Sequence, residues 1–251
     1  MKMNGNHILI TGGGTGIGLA LAEAFLKEGN KVLICGRRGE KLQRAQKELP
    51  ALRYQVADVS QGKDRQALGD WAMEEGVNVL INNAGMQREV NFKKGLAPLE
   101  AGDNEVRCNL EGPLYLTALL APHLLAQKEA AIVNVSSGLG FVPLSIMPIY
   151  CATKAAIHSF STSLRRQMAG TSVKVFEVIP PTVNTELDRG ARAKRGQKDL
   201  GIPAEQVATE VLKGMTEDKF EIPVGMAGGL MGAVKGDFQA AFDRMNGQFT
   251  F

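Results

Sequence analysis

The sequence predicts an α/β fold, a doubly wound parallel sheet of six to seven strands with helices on both faces. Three observations carry this expectation. Short apolar runs rich in Val and Ile recur with little alternation, which is how strands covered on both faces read. Longer segments of helical period separate them. Strand and helix in alternation build βαβ units, whose crossovers make the sheet parallel and layer helices on each side. With 251 residues, 44% of them hydrophobic and 22% charged, the chain can bury one sizeable core. No linker-like composition shift or internal repeat divides it, so one domain over residues 1–251 is expected.

The elements follow in order. His7–Ile10 is the first strand, and TGGGTGIG (11–18) leads from it into a helix striped by Leu19, Ala22, Phe25 and Leu26. Gly29 supplies that helix's stop. Val32–Cys35, Tyr54–Ala57 and Val77–Ile81 are the next three strands. A helix carrying Leu114, Leu116, Leu119, Leu120 and Leu124 begins after Gly112-Pro113. Ala131–Val135 is the fifth strand, a helix runs from about Cys151 to Met168, and Val173–Ile179 is the sixth strand. A seventh run lies near Phe220–Pro223. Residues 186–201 are polar, basic and Gly-containing, and are expected to form a mobile substrate lid. Residues 222–234 are apolar and Gly-rich, and are expected to pack in the core or to wall a pocket or dimer contact.

Composition excludes several functions. Lys and Arg number 29 against 26 Asp and Glu, a net charge of +3 spread along the chain, without the dense basic stripe of a nucleic-acid binder. Three cysteines are odd in number and too few for a disulfide framework, so a reducing compartment is expected. The start, Met-Lys-Met-Asn-Gly-Asn-His, lacks the apolar core of a secretory signal, and a cytoplasmic location is expected. Residues Ala130–Thr153 carry no formal charge, but Asn134, Gly138, Gly140, Pro143 and Pro148 make a membrane-spanning helix too costly. His7, His123 and His158 pair with no Cys or carboxylate at ligand spacing, so no metal is expected.

The glycine loop points to a cofactor. Glycines at a strand-to-helix turn let the backbone approach a pyrophosphate, while the helix N-terminus favours its charge. The spacing here is Gly12-x-x-x-Gly16-x-Gly18, with Ile17 where the familiar G-x-G-x-x-G pattern would place its last glycine. On its own such a loop also reads as a plain flexible turn. The second strand then ends Cys35-Gly36-Arg37-Arg38, with no acid before Glu40. An NAD site usually puts a carboxylate there for the ribose, whereas a guanidinium clamps a 2′-phosphate. NADP(H) is therefore favoured, with NAD(H) as the alternative.

The catalytic candidates lie at the other end. Ser136-Ser137 close the fifth strand, Tyr150 follows Ser137 by 13 residues, and Lys154 comes four later. Positions i and i+4 share a helix face, so the Lys154 ammonium can sit beside the Tyr150 phenol. A free phenol has a pKa near 10, and a fixed cation moves it toward the working range. A serine hydroxyl at a strand's C-terminal end can bond a substrate oxygen. Each feature is weak alone. Their order on a βαβ chain is far more specific.

On these motifs, with Asp58-Val59, Asn82-Asn83-Ala84-Gly85 and Asn109 ahead of Gly112-Pro113, residues 6–185 resemble the classical short-chain dehydrogenase/reductase family. The resemblance implies a Rossmann-type fold in which Tyr150 donates or accepts the proton, Ser137 orients the substrate oxygen, and Lys154 holds the ribose while tuning Tyr150. It implies that Asn109 positions a water near Lys154, that Asp58 and Val59 meet the adenine, and that Asn83, Ala84 and Gly85 line the cofactor groove. Gly12, Gly14, Thr15, Gly16, Ile17 and Gly18 are expected at the pyrophosphate and Arg37 and Arg38 at the 2′-phosphate. Pro180, Thr182, Val183 and Thr185 are expected near the nicotinamide. One departure is Pro180-Pro181 where the family commonly has Pro-Gly, which stiffens that loop. Together with Asn83-Ala84-Gly85-Met86-Gln87-Arg88, it is similar to the DltE-like branch. The expected activity is hydride transfer between NADP(H) and a secondary alcohol or ketone, in a homo-oligomer (dimer or tetramer). A non-catalytic NADP(H)-binding redox-sensing module and sugar-nucleotide epimerase or dehydratase chemistry are the rivals. The first has no need of a tuned phenol, and the second usually needs a larger C-terminal domain.

Overall fold

The computed structural model describes residues 1–100, 102, 104–187, 196 and 201–249. Along the chain, β1 (His7–Thr11) leads through α1 (Gly16–Lys27) to β2 (Lys31–Gly36), α2 (Gly39–Glu48), β3 (Arg53–Val56), α3 (Gly62–Glu74) and β4 (Val79–Asn82). A short helix, α4 (Ala97–Glu100), and a π-helical turn at Arg107–Glu111 precede α5 (Gly112–Leu125) and β5 (Ala130–Val135). Then come α6 (Pro148–Gln167), β6 (Val173–Ile179), α7 (Ala204–Thr216), β7 (Glu221–Pro223), α8 (Ala227–Ala233) and α9 (Phe238–Asn246). The strands form one sheet in the order β3-β2-β1-β4-β5-β6-β7, parallel throughout. The direction of winding reverses between β1 and β4. Diverging crossovers open a crevice there, beyond the carboxyl ends of the strands.

Strand pleating divides the core into two layers. Ile8, Ile10, Val32, Ile34 and Phe176 meet Leu21 and Phe25 of α1 and Val207, Val211 and Met215 of α7. Leu9, Leu33, Leu80 and Ile132 face the opposite way, onto Leu68 of α3, Leu116, Leu120 and Leu124 of α5, and Leu164 of α6. Every residue of β4 and β5 is buried, the physical origin of their near-continuous apolar sequence, and the two exceptions, Asn82 and Asn134, bond to each other at 2.9 Å.

Several boundaries differ from expectation. The fourth strand begins two residues late, because the Asn78 side chain accepts the His7 amide at 2.9 Å and donates to Glu129 O at 3.0 Å. Helix α6 starts at Pro148 rather than Cys151, since proline lacks only an N–H that the first turn leaves unpaired. Helix α7 was not expected, although Val207, Ala208, Val211 and Met215 repeat at helical period after Pro203. Residues 222–234 divide between β7, a turn and α8, with Ala227 buried and Met226 exposed. Most of the expected lid, residues 188–195 and 197–200, lies outside the described residues. Among the described residues no helix is long and apolar enough to cross a membrane.

Candidate active site

The site begins where β1 ends. Gly12 takes a left-handed conformation, φ 67°, and a Cβ there would stand 2.9 Å from Ala84 Cα. Gly18, in the first turn of α1, approaches so closely that a Cβ would meet Gly12 O at 2.3 Å. Thr11 and Asn83 brace this contact. The Thr11 hydroxyl accepts the amides of Asn83 (3.0 Å) and Ala84 (2.9 Å), and Asn83 Nδ2 donates to Thr11 O at 2.9 Å. Asn83 thus stitches β4 to the glycine loop, and Thr11 is a supporting residue absent from the sequence-based set. Gly18→Ala is expected to weaken nicotinamide dinucleotide binding about 5–150-fold, since overpacking costs ~1–3 kcal/mol and 1.4 kcal/mol is tenfold. Calorimetric titration of folded variant and wild type checks it.

A basic corner lies beyond β2. Arg38 Nη1 contacts Glu186 Oε2 at 2.7 Å, Arg38 Nη2 reaches Thr15 Oγ1 at 3.3 Å, and Lys41 Nζ contacts Glu186 Oε1 at 2.8 Å. Hydrogen bonds from Lys41 and Arg38 hold the Glu186 carboxyl down at about 2. Lys41 escaped sequence reading, and its signal was its place three residues beyond Arg38, at the start of α2. Arg37 and Asp58 line the same crevice. The Asp58 carboxylate also accepts the Ser60 amide at 2.9 Å, closing the turn after β3.

Tyr150 and Lys154 project from one face of α6 at the opposite end. Lys154 is buried, its Nζ donates to Val135 O at 2.7 Å, and it lies 5.7 Å from the centre of the Tyr150 ring. Burial pushes the Lys154 pKa down to about 8, against upward influences from Cys108 and Glu177. Ser137 caps the 3-10 turn Gly138–Gly140, and its Oγ accepts the Leu139 amide at 3.1 Å. That bond uses an acceptor lone pair and leaves the serine's own hydrogen to donate. Asn109 sits in the π-helical turn, a distortion common at functional sites. Its side chain is committed to protein partners: Oδ1 accepts Met86 N at 2.9 Å, and Nδ2 donates to Met86 O (2.8 Å) and Thr153 Oγ1 (3.1 Å). It pins the segment after Gly85 against α6.

One crevice of about 350 Å³ joins the two ends. Gly12, Gly14, Thr15, Gly16, Ile17, Arg37, Arg38, Asp58, Val59, Asn83, Ala84, Gly85, Tyr150, Lys154, Pro180 and Thr185 line it. So do Lys41, Met86, Cys108, Ser136 and Leu187, which sequence reading did not select. Gly18, Asn109 and Ser137 stand behind or beside this wall rather than in it. Thr182 and Val183 are not part of this wall: Val183 is buried in the core layer beside α7 and bridges Ile202, and Thr182 O accepts the Ile202 amide at 3.0 Å. Among the described residues no group of three or more His, Cys, Asp or Glu could hold a metal ion. Burial pushes the Cys35 thiol up to about 12 and the Cys151 thiol to about 11, which makes both poor nucleophiles at neutral pH.

Comparison with known proteins agrees with this geometry. The family model described as short chain dehydrogenase matches residues 6–196. An uncharacterized oxidoreductase, DltE, of Bacillus subtilis (strain 168) is 46% identical over 250 residues, covering 99% of each chain. A short-chain dehydrogenase/reductase from Burkholderia phymatum, crystallised with NAD, superposes with a TM-score of 0.82 at 26% identity, over 100% of this chain and 99% of that one. A short chain dehydrogenase from Burkholderia cenocepacia J2315, crystallised with NADP, also gives 0.82, at 27% identity over 98% and 99%. The glycine-braced crevice at the β1–β4 reversal, the sequence match and these superpositions agree, and the chain belongs to the short-chain dehydrogenase/reductase family.

Proposed function

We propose that the protein is an NADP(H)-dependent oxidoreductase that interconverts a ketone and a secondary alcohol, with Tyr150 as proton donor and acceptor. The observation that carries this reading is the buried Lys154 ammonium beside the Tyr150 ring, in the wall of the glycine-lined crevice. The crevice suits a dinucleotide. Gly12 and Gly18 pack so closely on Ala84, Asn83 and each other that a side chain at either would displace the loop that lines it, and the Glu186 carboxylate between Arg38 and Lys41 marks that corner as a place for an anionic oxygen group. The crystallised relatives carry NAD in one case and NADP in another, so the preference rests on this chain's own basic corner.

In this reading the glycine loop and α1 N-terminus hold the pyrophosphate, Arg37, Arg38 and Lys41 the 2′-phosphate, and Asp58 and Val59 the adenine. Asn83, Ala84, Gly85, Pro180 and Thr185 seat the nicotinamide end. The bound cofactor supplies or accepts the hydride. The protein manages the substrate oxygen. Ser137 donates its free hydroxyl hydrogen to that oxygen, and Tyr150 delivers the proton. Lys154 stabilises the phenolate left behind, the charge that develops as the proton moves. A cytoplasmic setting accords with three buried cysteines, none of them in a disulfide. Val106, ahead of α5, and Tyr115 and Leu125 along it remain exposed, which favours a homo-oligomer; light scattering showing a monomer would contradict it.

The cofactor choice has a direct test. A charge-assisted hydrogen bond contributes ~1.5–3 kcal/mol, so the double variant Arg38→Ala/Lys41→Ala is expected to raise KM for NADPH ~10–100-fold or more. KM for NADH should change by less than about threefold, as it lacks the phosphate. A wild type that used both cofactors equally would defeat the preference.

A further inference from the structure

Glu177 takes no part in the constellation above, yet it lies in β6 with no exposed surface. A buried carboxylate is costly unless hydrogen-bonded and electrically compensated. Its Oε1 accepts the Ser136 hydroxyl at 2.5 Å, and its Oε2 lies 2.8 Å from His158 Nδ1. His158 follows Lys154 by four residues on α6, so the two side chains reach the sheet from the same helix face. Lys154 grips Val135 O while Glu177 grips Ser136 Oγ, and Ser137 is next along the chain. Two consecutive residues of β5's end are therefore held by α6 and by β6, immediately before the serine turn.

The surrounding charges are few. Around Lys154 stand Tyr150 on its own helix, Cys108 from the π-helical turn and Glu177 from β6. Among the described residues no carboxylate forms an ion pair with Lys154. Around Glu177 stand Ser136, His158 and its register neighbours Asn134 on β5 and Glu221 on β7, the last paired with Arg165 at 3.5 Å.

Resting on the roles proposed above for Tyr150 and Lys154, we infer that Glu177 is a positioning residue of this site. Its carboxylate ties the strand end that carries Ser137 to α6, and places a negative charge one residue along the chain from the carbonyl that Lys154 grips. Without that charge, burial acts on the lysine with less opposition.

The test is the pH titration of the Lys154 13Cε resonance in lysine-labelled protein, assigned by its loss in Lys154→Arg. In Glu177→Gln the midpoint is expected to fall by about 1 unit or more relative to wild type. A purely structural role predicts the opposite sign, because a loosened site admits water and returns the lysine toward its ordinary value. A midpoint unchanged within about 0.2 unit, or raised, overturns the inference. Glu177→Asp keeps the charge and should hold the midpoint near wild type; a value as low as that of the Gln variant also overturns it. If Glu177→Gln does not fold, adding Lys154→Met should restore cooperative thermal unfolding by removing the unpaired charge, and failure to restore it overturns the inference. None of these readouts needs turnover. A wild type without carbonyl reductase activity would therefore defeat the proposed function separately from the assignment of Glu177.

Discussion

Tyr150→Phe is expected to lower kcat by about 10²–10⁴-fold, the usual contribution of a positioned general acid or base. The ring keeps its place against Ile146, Met147 and Cys151, so the fold should hold and the dissociation constant for NADPH should stay within about threefold. A loss confined to kcat identifies a group that acts in the transition state, whereas a rise in KM alone would mark Tyr150 as a binding wall. Steady-state kinetics with fluorescence titration of NADPH separates the two.

Lys154→Met should cost a comparable factor in kcat and at the same time make the cofactor-free protein more stable at neutral pH. Both effects have one cause. The lysine is buried with a pKa lowered from 10.5 to about 8, so the folded state resists carrying a proton that the unfolded chain accepts. Between about 8 and 10.5 the unfolded state binds more protons, and wild-type stability therefore rises with pH through that window. Below it the folded protein carries the full cost of a buried ammonium, which Met lacks. The Met variant should therefore unfold at a higher temperature at pH 7, by about 2–4 °C per kcal/mol relieved, with the gap closing toward pH 10.5. Scanning calorimetry across pH checks this. The same titration should make wild-type turnover decline as pH rises through about 8, since deprotonation removes the cation that supports the phenolate. A variant both less stable and less active at pH 7 would contradict the account.

The parallel sheet was legible because burial on both faces leaves β4 and β5 almost wholly apolar, with Asn82 and Asn134 bonded to each other as their exceptions. The glycine loop was legible because Gly12 and Gly18 are demanded by backbone approach, a local constraint written in local sequence. Other features depend on contacts that sequence spacing does not encode. Lys41 joins Arg38 only because both converge on Glu186, some 145 residues further along. His158 looked isolated in sequence, and sheet register together with the α6 crossing brings it to Glu177. Asn109 was recognisable by motif, but not the way its amide is used by Met86 and Thr153. Thr182 and Val183 looked like crevice residues until Ile202 drew them into a bridge.

Proton delivery by Tyr150 to the oxygen of a carbonyl being reduced is tested most directly by isotope tracing. The folded protein would be incubated with NADPH carrying deuterium at both C4 positions and a panel of ketones, and the products read by mass spectrometry. Wild type should form a secondary alcohol carrying deuterium on the carbinol carbon, and Tyr150→Phe should form at least about 100-fold less. An alcohol without deuterium, no alcohol from any ketone, or equal product from Tyr150→Phe would contradict the account.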